Sequence, residues 1–288
     1  MKKILVTGGA GFIGSHLCEE LIKNPGYEIW SLDNYSSGSK SNHIEGVKYI
    51  KGSTLDIKKY ISFSPDLVFH LGEYSRVEKS FDDVDFVWRN NMIGTYEVVK
   101  FCHENNAKLV YSGSSTKFAD NGSGASQSPY AWTKSTNTNL IVNYSNWYGL
   151  TFAIVYFYNA YGNREISTGK YATLIGIFKT LYKEGKKLPV VLPGNQRRNF
   201  THVKDIVSGL ILVGEKGKGD NYGIGVKESF SVLEIANFFG GEVEFLPERK
   251  GNRQNAEVVS NKTIDLGWKP LRSVKDYIDD FKNTLKKT

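Results

Sequence analysis

Two cysteines in 288 residues, Cys18 and Cys102, are far apart, and each lies inside a segment that reads as helix. That leaves no basis for a disulfide framework. Long apolar runs are also missing: none approaches the ~20 residues needed to span a bilayer. The first strand pattern follows Met1-Lys2-Lys3 directly, without the apolar stretch of a secretory leader. These shortages together suggest a cytoplasmic location with no membrane partner. No internal repeat and no low-complexity linker is visible. Five histidines, His16, His43, His70, His103 and His202, show no metal-ligand spacing, so no metal is expected. The basic excess, 37 Lys and Arg against 30 Asp and Glu, is spread along the chain and forms no stripe interleaved with aromatics. It speaks against nucleic acid and suits a solvated surface or an anionic small molecule. With 40% hydrophobic and 23% charged residues, the composition is that of an ordinary globular protein. Its length suits one large domain or two modest ones.

Against that background one stretch stands out. Ile4-Leu5-Val6-Thr7 reads as a buried strand, Gly8-Gly9-Ala10-Gly11-Phe12-Ile13-Gly14 as a turn, and Ser15 to Ile22 as a helix beginning near Gly11. This order is the opening βα unit of a dinucleotide-binding fold. Gly8 can take the positive φ of a tight turn, Gly11 lets backbone approach a pyrophosphate, and Gly14 lets helix and strand pack closely. The anion would rest on free N–H groups at the positive end of the helix dipole. Asp33 ends the next strand pattern, nineteen positions after Gly14, where a carboxylate can accept bonds from the adenosine ribose hydroxyls. A carboxylate there repels a 2′-phosphate, and the chain has no arginine before Arg76. The cofactor is therefore expected to be NAD and not NADP.

Further strands are predicted at Val47–Ile50, Asp66–Leu71, Lys108–Ser112 and Phe152–Phe157, alternating with helices at about Asp83–Asn105 and Tyr130–Tyr148. The alternation predicts an α/β fold: a doubly wound parallel sheet of Rossmann type, with its ligand at the carboxyl ends of the strands. From about Gly162 the regularity changes to short strands and short helices. The expected division is a cofactor domain over residues 1–162 and a smaller α+β substrate lobe over 163–288, with part of about 200–225 returning to the first. The active site is expected in the cleft between them.

Tyr130 and Lys134 stand at i and i+4 at the start of the second long helix, hence on one face. A phenol with its ordinary pKa of ~10 is a weak base at neutral pH, and lowering it by three units takes roughly 4 kcal/mol. A nearby ammonium and a nicotinamide cation could supply that. Ser128-Pro129 makes a good helix start just before the pair. Ser114, at the carboxyl end of the fifth strand, can hydrogen-bond a substrate atom that gains or loses a proton.

The set Gly8 to Gly14, Asp33-Asn34, His70-Leu71-Gly72, Asn91, Ser114, Tyr130 with Lys134, Asn159-Ala160-Tyr161-Gly162 and Arg198 to Asp205 resembles the extended short-chain dehydrogenase/reductase family. Within it, the resemblance is to the nucleotide-sugar epimerase/dehydratase branch. It covers nearly the whole chain, and Leu266-Gly267-Trp268-Lys269-Pro270 is similar to that branch's ending. The resemblance implies that Phe12, Ile13, Asp33, Asn34, Ser37, Leu71, Asn91, Tyr130 and Lys134 hold NAD beside the glycines. It implies that Ser114 and Tyr130 engage the sugar hydroxyl, with Tyr130 as base and Lys134 tuning it. Asn159, Arg198 and Arg249 would hold the nucleotide diphosphate, and Tyr171 and Thr173 would line the base pocket. Relatives of this kind pair through the two long helices. Those helices here carry an excess of large apolar groups, so a homodimer is expected.

Three departures bear on the reaction. The dehydratases of the branch have an Asp-Glu pair after the catalytic hydroxyl residue, and here Ser115 and Thr116 stand in those places. Hydroxyls cannot readily replace that acid and base, so 4,6-dehydration is disfavoured. Ser53 replaces an aspartate that usually contacts adenine. Glu73 occupies a small or apolar place next to the cofactor, with Arg76, three residues on, as the obvious partner; Glu73 could instead act on substrate. The reading that follows is an NAD-dependent epimerase acting at C4 of a nucleotide-linked, UDP-type hexose. The alternatives are a dehydratase or another oxidoreductive epimerase using Glu73 as acid/base, and a non-catalytic NAD-binding sensor.

Overall fold

A computed structural model of the chain describes residues 1–118, 120–247, 258 and 260–287. Its centre is a sheet of seven parallel strands: β1 (Lys2–Thr7), β2 (Tyr27–Asp33), β3 (Lys48–Lys51), β4 (Leu67–His70), β5 (Lys108–Ser114), β6 (Phe152–Phe157) and β7 (Gly219–Ile224). Across the sheet they run β7-β6-β5-β4-β1-β2-β3, so the strand order reverses between β1 and β4. That reversal opens a crevice at the carboxyl ends of those strands.

Both faces of the sheet are covered, which explains why its strands read as apolar runs and not as alternating patterns. Ile4, Val6, Phe69, Val110 and Val155 join a core on one face together with Leu17 and Cys18 of α1 (Phe12–Leu21). Leu5, Val68, Leu109 and Ile154 point the other way, into a second core with Val98, Val99 and Cys102 of α2 (Gly94–Glu104) and Ile141 of α3 (Pro129–Tyr148). Both cysteines are buried and unpaired. Among the described residues no helix is long and apolar enough to cross a membrane.

The helix predicted over 83–105 is interrupted. Its first turn, Val84–Val87, is α-helical, Trp88–Ile93 is a π turn, and α2 follows. The wider turn coincides with two buried asparagines, Asn90 and Asn91, and such insertions recur at functional sites. By contrast α3 begins where its sequence signals put it. Ser128 accepts the Ala131 N–H at 3.1 Å, Pro129 occupies the first turn, and Gly149 closes the helix at φ 76°.

Residues beyond β6 build a third core from Tyr161, Ile175, Phe178, Leu188, Val190, Ile235, Phe239, Val274 and Ile278. Leu188–Val191 and Val243–Leu246 pair in parallel within it. The chain also returns to the large sheet. Helix α5 (Val203–Lys216) sends Ile206, Val207, Leu210 and Val213 into the first core, and β7 adds to the edge beside β6.

Candidate active site

A cavity of about 570 Å³ opens along the carboxyl ends of the sheet strands. Its walls run from the glycine turn, through the strand ends of β2, β4, β5 and β6, to Tyr171, Thr173 and Arg198 on the far side. Of the residues expected at the site, Gly8, Gly11, Phe12, Ile13, Gly14, Asp33, Asn34, Ser37, Leu71, Glu73, Ser114, Tyr130, Lys134, Asn159, Tyr171, Thr173 and Arg198 all line it. Arg249 lies outside the described residues.

The turn is shaped to leave room for backbone alone. Gly8 has φ +75°, and a Cβ on Gly14 would stand 2.1 Å from the Gly8 carbonyl oxygen. No side chain caps α1, so the N–H groups of its first turn are left for an anion. Asp33 accepts the N–H of Ala10 at 2.9 Å and of Tyr35 at 2.7 Å. These bonds fix its carboxylate between turn and cleft. Burial raises its pKa, and the two N–H groups pull it back. A donor row beside a buried, oriented carboxylate fits a dinucleotide: pyrophosphate on the turn, ribose on the acid.

Asn91 is the exception among the expected cofactor contacts. It is buried behind the wall: its Oδ1 accepts the Tyr74 N–H at 2.7 Å, and its amide donates to the Tyr74 carbonyl and to Thr133. The structure therefore gives it the task of bracing the Tyr74 loop, and neighbouring Asn90 is the one that lines the cavity.

Glu73 requires a second correction. Its partner is not Arg76. The Glu73 Oε2 is ion-paired with Lys134 Nζ, and the two side chains are only 2% and 5% exposed. Lys134 also donates to the Ser112 carbonyl. The other oxygen, Oε1, accepts from Thr95 Oγ1 at 2.9 Å, Tyr111 OH at 3.1 Å and Asn137 Nδ2 at 3.2 Å. Thr95 donates to Glu73, so it must accept from His70 Nε2 at 2.9 Å, which leaves His70 Nδ1 to accept from Thr7 Oγ1 at 2.7 Å. His70 is thus held neutral, and burial lowers its pKa to about 4. Sequence spacing gave no sign of this chain of hydrogen bonds. The signal available was an acid placed just past the end of β4.

Arg76 is left without Glu73. It donates to the Tyr171 carbonyl, its Nε is buried with no hydrogen-bond partner, and among the described residues no carboxylate pairs with it. Burial pulls its pKa down, opposed by the phenols of Tyr130, Tyr74 and Tyr171. Ser114 Oγ, at the end of β5, accepts from Thr116 Oγ1 at 2.9 Å and from the Thr116 N–H at 3.3 Å. Tyr130 lines the cavity one turn before Lys134 on α3.

On the far side, Asn159 adopts φ 28° and donates to the Asn199 carbonyl at 3.0 Å. Thr173 caps helix α4 (Leu174–Lys183) by accepting the Gly176 N–H at 3.0 Å, and its hydroxyl donates to Glu165 at 2.6 Å. Its side chain is therefore committed to structure even where the residue faces the cavity.

A Rossmann sheet whose crevice brings together an anion cradle, a ribose-side acid and a Ser/Tyr pair defines a dinucleotide-dependent enzyme acting on a hydroxyl-bearing substrate. Residues 4–225 match the model of the NAD dependent epimerase/dehydratase family. The chain belongs to that family, and NAD is its cofactor. It is 29% identical to a putative UDP-glucose 4-epimerase of Methanocaldococcus jannaschii over 98% of both chains. It is also 32% identical to a UDP-N-acetyl-alpha-D-glucosaminuronate decarboxylase of Bacillus cytotoxicus, over 82% of this chain and 78% of that one. Among solved structures, the UDP-glucose 4-epimerase of Thermotoga maritima with UDP-glucose superposes with a TM-score of 0.89 at 26% identity, over 98% of this chain and 99% of that one. The relatives thus share a scaffold and differ in reaction.

Proposed function

We propose that the chain is an NAD-dependent epimerase that inverts C4 of a nucleotide-linked hexose, most simply a UDP-hexose, through a transient 4-keto sugar. The observation that carries this reading is that Tyr130 and Ser114 face one cavity with the glycine turn, while Ser115 and Thr116 hold the positions of the dehydratase acid pair. Tyr130 takes the C4 hydroxyl proton and returns it, and Ser114 holds that oxygen. Bound at the turn, NAD supplies the reversible hydride acceptor. Lys134 braces the cavity floor behind Tyr130 through Glu73 and Ser112. Asn159, Arg198 and Arg249 take the diphosphate, with Tyr171 and Thr173 toward the base. The cofactor unit comprises residues 1–162 with about 200–225, and the rest of 163–288 forms the substrate lobe.

A dehydratase using Glu73 as its acid/base is disfavoured because both carboxylate oxygens are engaged in the floor. To test the reaction, the NAD-loaded protein is incubated with UDP-glucose, UDP-galactose, their N-acetyl forms and UDP-glucuronate. Products are then separated and weighed. Unchanged mass with a new retention time supports epimerisation. Loss of water, or no interconversion by folded holoprotein, overturns it.

The same chain is proposed to work as a homodimer. Trp88 and Trp132 stack at 5.5 Å, yet remain 46% and 42% exposed, and Phe86 and Tyr96 lie exposed on the same helices. Monomeric mass by light scattering at micromolar concentration overturns this.

A further inference from the structure

We propose that Arg76 receives an anionic substituent of the sugar, a carboxylate two bonds from the reacting carbon, and that the substrates are therefore nucleotide-linked hexuronic acids. The inference rests on the nucleotide-sugar reading above and goes beyond it to the substituent.

A guanidinium cannot discard its proton, and placing it in a protein wall without a counter-ion is costly. Most cations avoid that cost by pairing with an acid, and Lys134 does so with Glu73. Arg76 lies three residues from the same Glu73 and has no bond to it. One arm is tied to the Tyr171 carbonyl, which fixes the direction of the fork. The Nε edge is buried without a partner, although the residue lines the cavity. A neutral backbone acceptor does not balance the charge, and among the described residues no carboxylate does, so the arrangement calls for a negative group brought by the cavity. A carboxylate fits because its two oxygens match the planar fork in a paired hydrogen bond.

Two other groups are proposed to hold the phosphates. The cofactor pyrophosphate belongs at Gly8 to Gly14. The substrate diphosphate belongs with Arg198 and Asn159. Arg76 and Tyr130 line the same cavity, and Tyr130 is the group proposed to act at C4. In a hexuronic acid the C6 carboxylate is two bonds from C4. A hydroxymethyl group at that place would leave the guanidinium uncompensated.

The test is calorimetric and needs no turnover. NAD-loaded protein and the variants Arg76→Gln and Arg76→Lys are titrated with UDP, UDP-glucose and UDP-glucuronate. The unaltered protein is expected to bind UDP-glucuronate at least about tenfold tighter than UDP-glucose, the size of one charge-assisted hydrogen bond. In Arg76→Gln that gap closes to within about twofold, while Arg76→Lys, which keeps the charge without the fork, retains part of it. Thermal melts show which variants are folded, and Arg76→Lys carries the comparison if Arg76→Gln is not. Equal affinity of the unaltered protein for the two sugars overturns the proposal. So does an Arg76→Gln loss equally large for UDP alone, because that would assign the residue to the diphosphate. If none of the three ligands binds, the nucleotide-sugar reading itself fails, and that outcome is distinct from the other two.

Discussion

Substituting Glu73 by Gln removes the anion of a buried pair while keeping its shape. Lys134, only 5% exposed, then has the Ser112 carbonyl as its remaining partner, and the new amide nitrogen faces the ammonium as a second donor. Breaking one side of a buried pair typically costs about 3–5 kcal/mol, because the other charge stays buried and unpaired. The Gln carbonyl can keep the bonds from Thr95, Tyr111 and Asn137, so their loss adds little. At 288 residues this corresponds to a fall in melting temperature of roughly 5–8 °C. The assay is urea unfolding of the cofactor-free protein followed by fluorescence of its five tryptophans. The double variant Glu73→Gln with Lys134→Met removes both charges, and it should recover at least about 2 kcal/mol relative to the sum of the single changes. A loss below about 1 kcal/mol for Glu73→Gln, or strict additivity in the cycle, refutes the buried pair. Arg76, three residues away, would then return as the partner of Glu73, and the carboxylate proposal would fall with it.

Tyr130→Phe should lower turnover by about 10²–10⁴-fold, the usual worth of a positioned acid/base, with NAD still bound; loss of NAD together with turnover would assign the phenol to cofactor retention instead. Gly14→Ala places a methyl group 2.1 Å from the Gly8 carbonyl oxygen, so the turn must open and NAD affinity should fall more than tenfold by calorimetry, and unchanged affinity contradicts the cradle. For acid stability, His70 has a folded pKa of about 4 against the ordinary 6.5. Its contribution is complete above pH 6.5 and is lost as pH falls from 6.5 toward 4, amounting to about 3 kcal/mol. His202 is shifted the same way by burial, also to about 4. Urea midpoints at pH 7 and pH 5 should differ accordingly, and a His70 ring titrating near 6.5 by NMR rules the term out.

Local spacing was enough for much of this protein. A glycine turn between strand and helix, an acid nineteen residues later and a Tyr/Lys pair one helical turn apart are short-range patterns. Each of those residues lines the cavity for the same reason that it was visible in the sequence. Strand runs were legible because burial on both faces made them continuously apolar. The order of the strands across the sheet depends on which surfaces meet and has no local signature.

Ion-pair choice was likewise a tertiary matter. Sequence proximity favoured Arg76 for Glu73, but the carboxyl ends of β4 and β5 converge. They bring Lys134 to Glu73 across 61 positions and draw in Thr95, Tyr111 and Asn137. Asn91 looked like a cofactor contact from its place in the chain, and the π turn rotates it behind the wall onto Tyr74. The amino-acid order determined the glycine turn, the strand runs and the Tyr130/Lys134 spacing, because each is a pattern within a turn or two. Which charges are cancelled inside the cleft was decided only by the packing of distant strand ends, because a charge is compensated by what lies beside it in space.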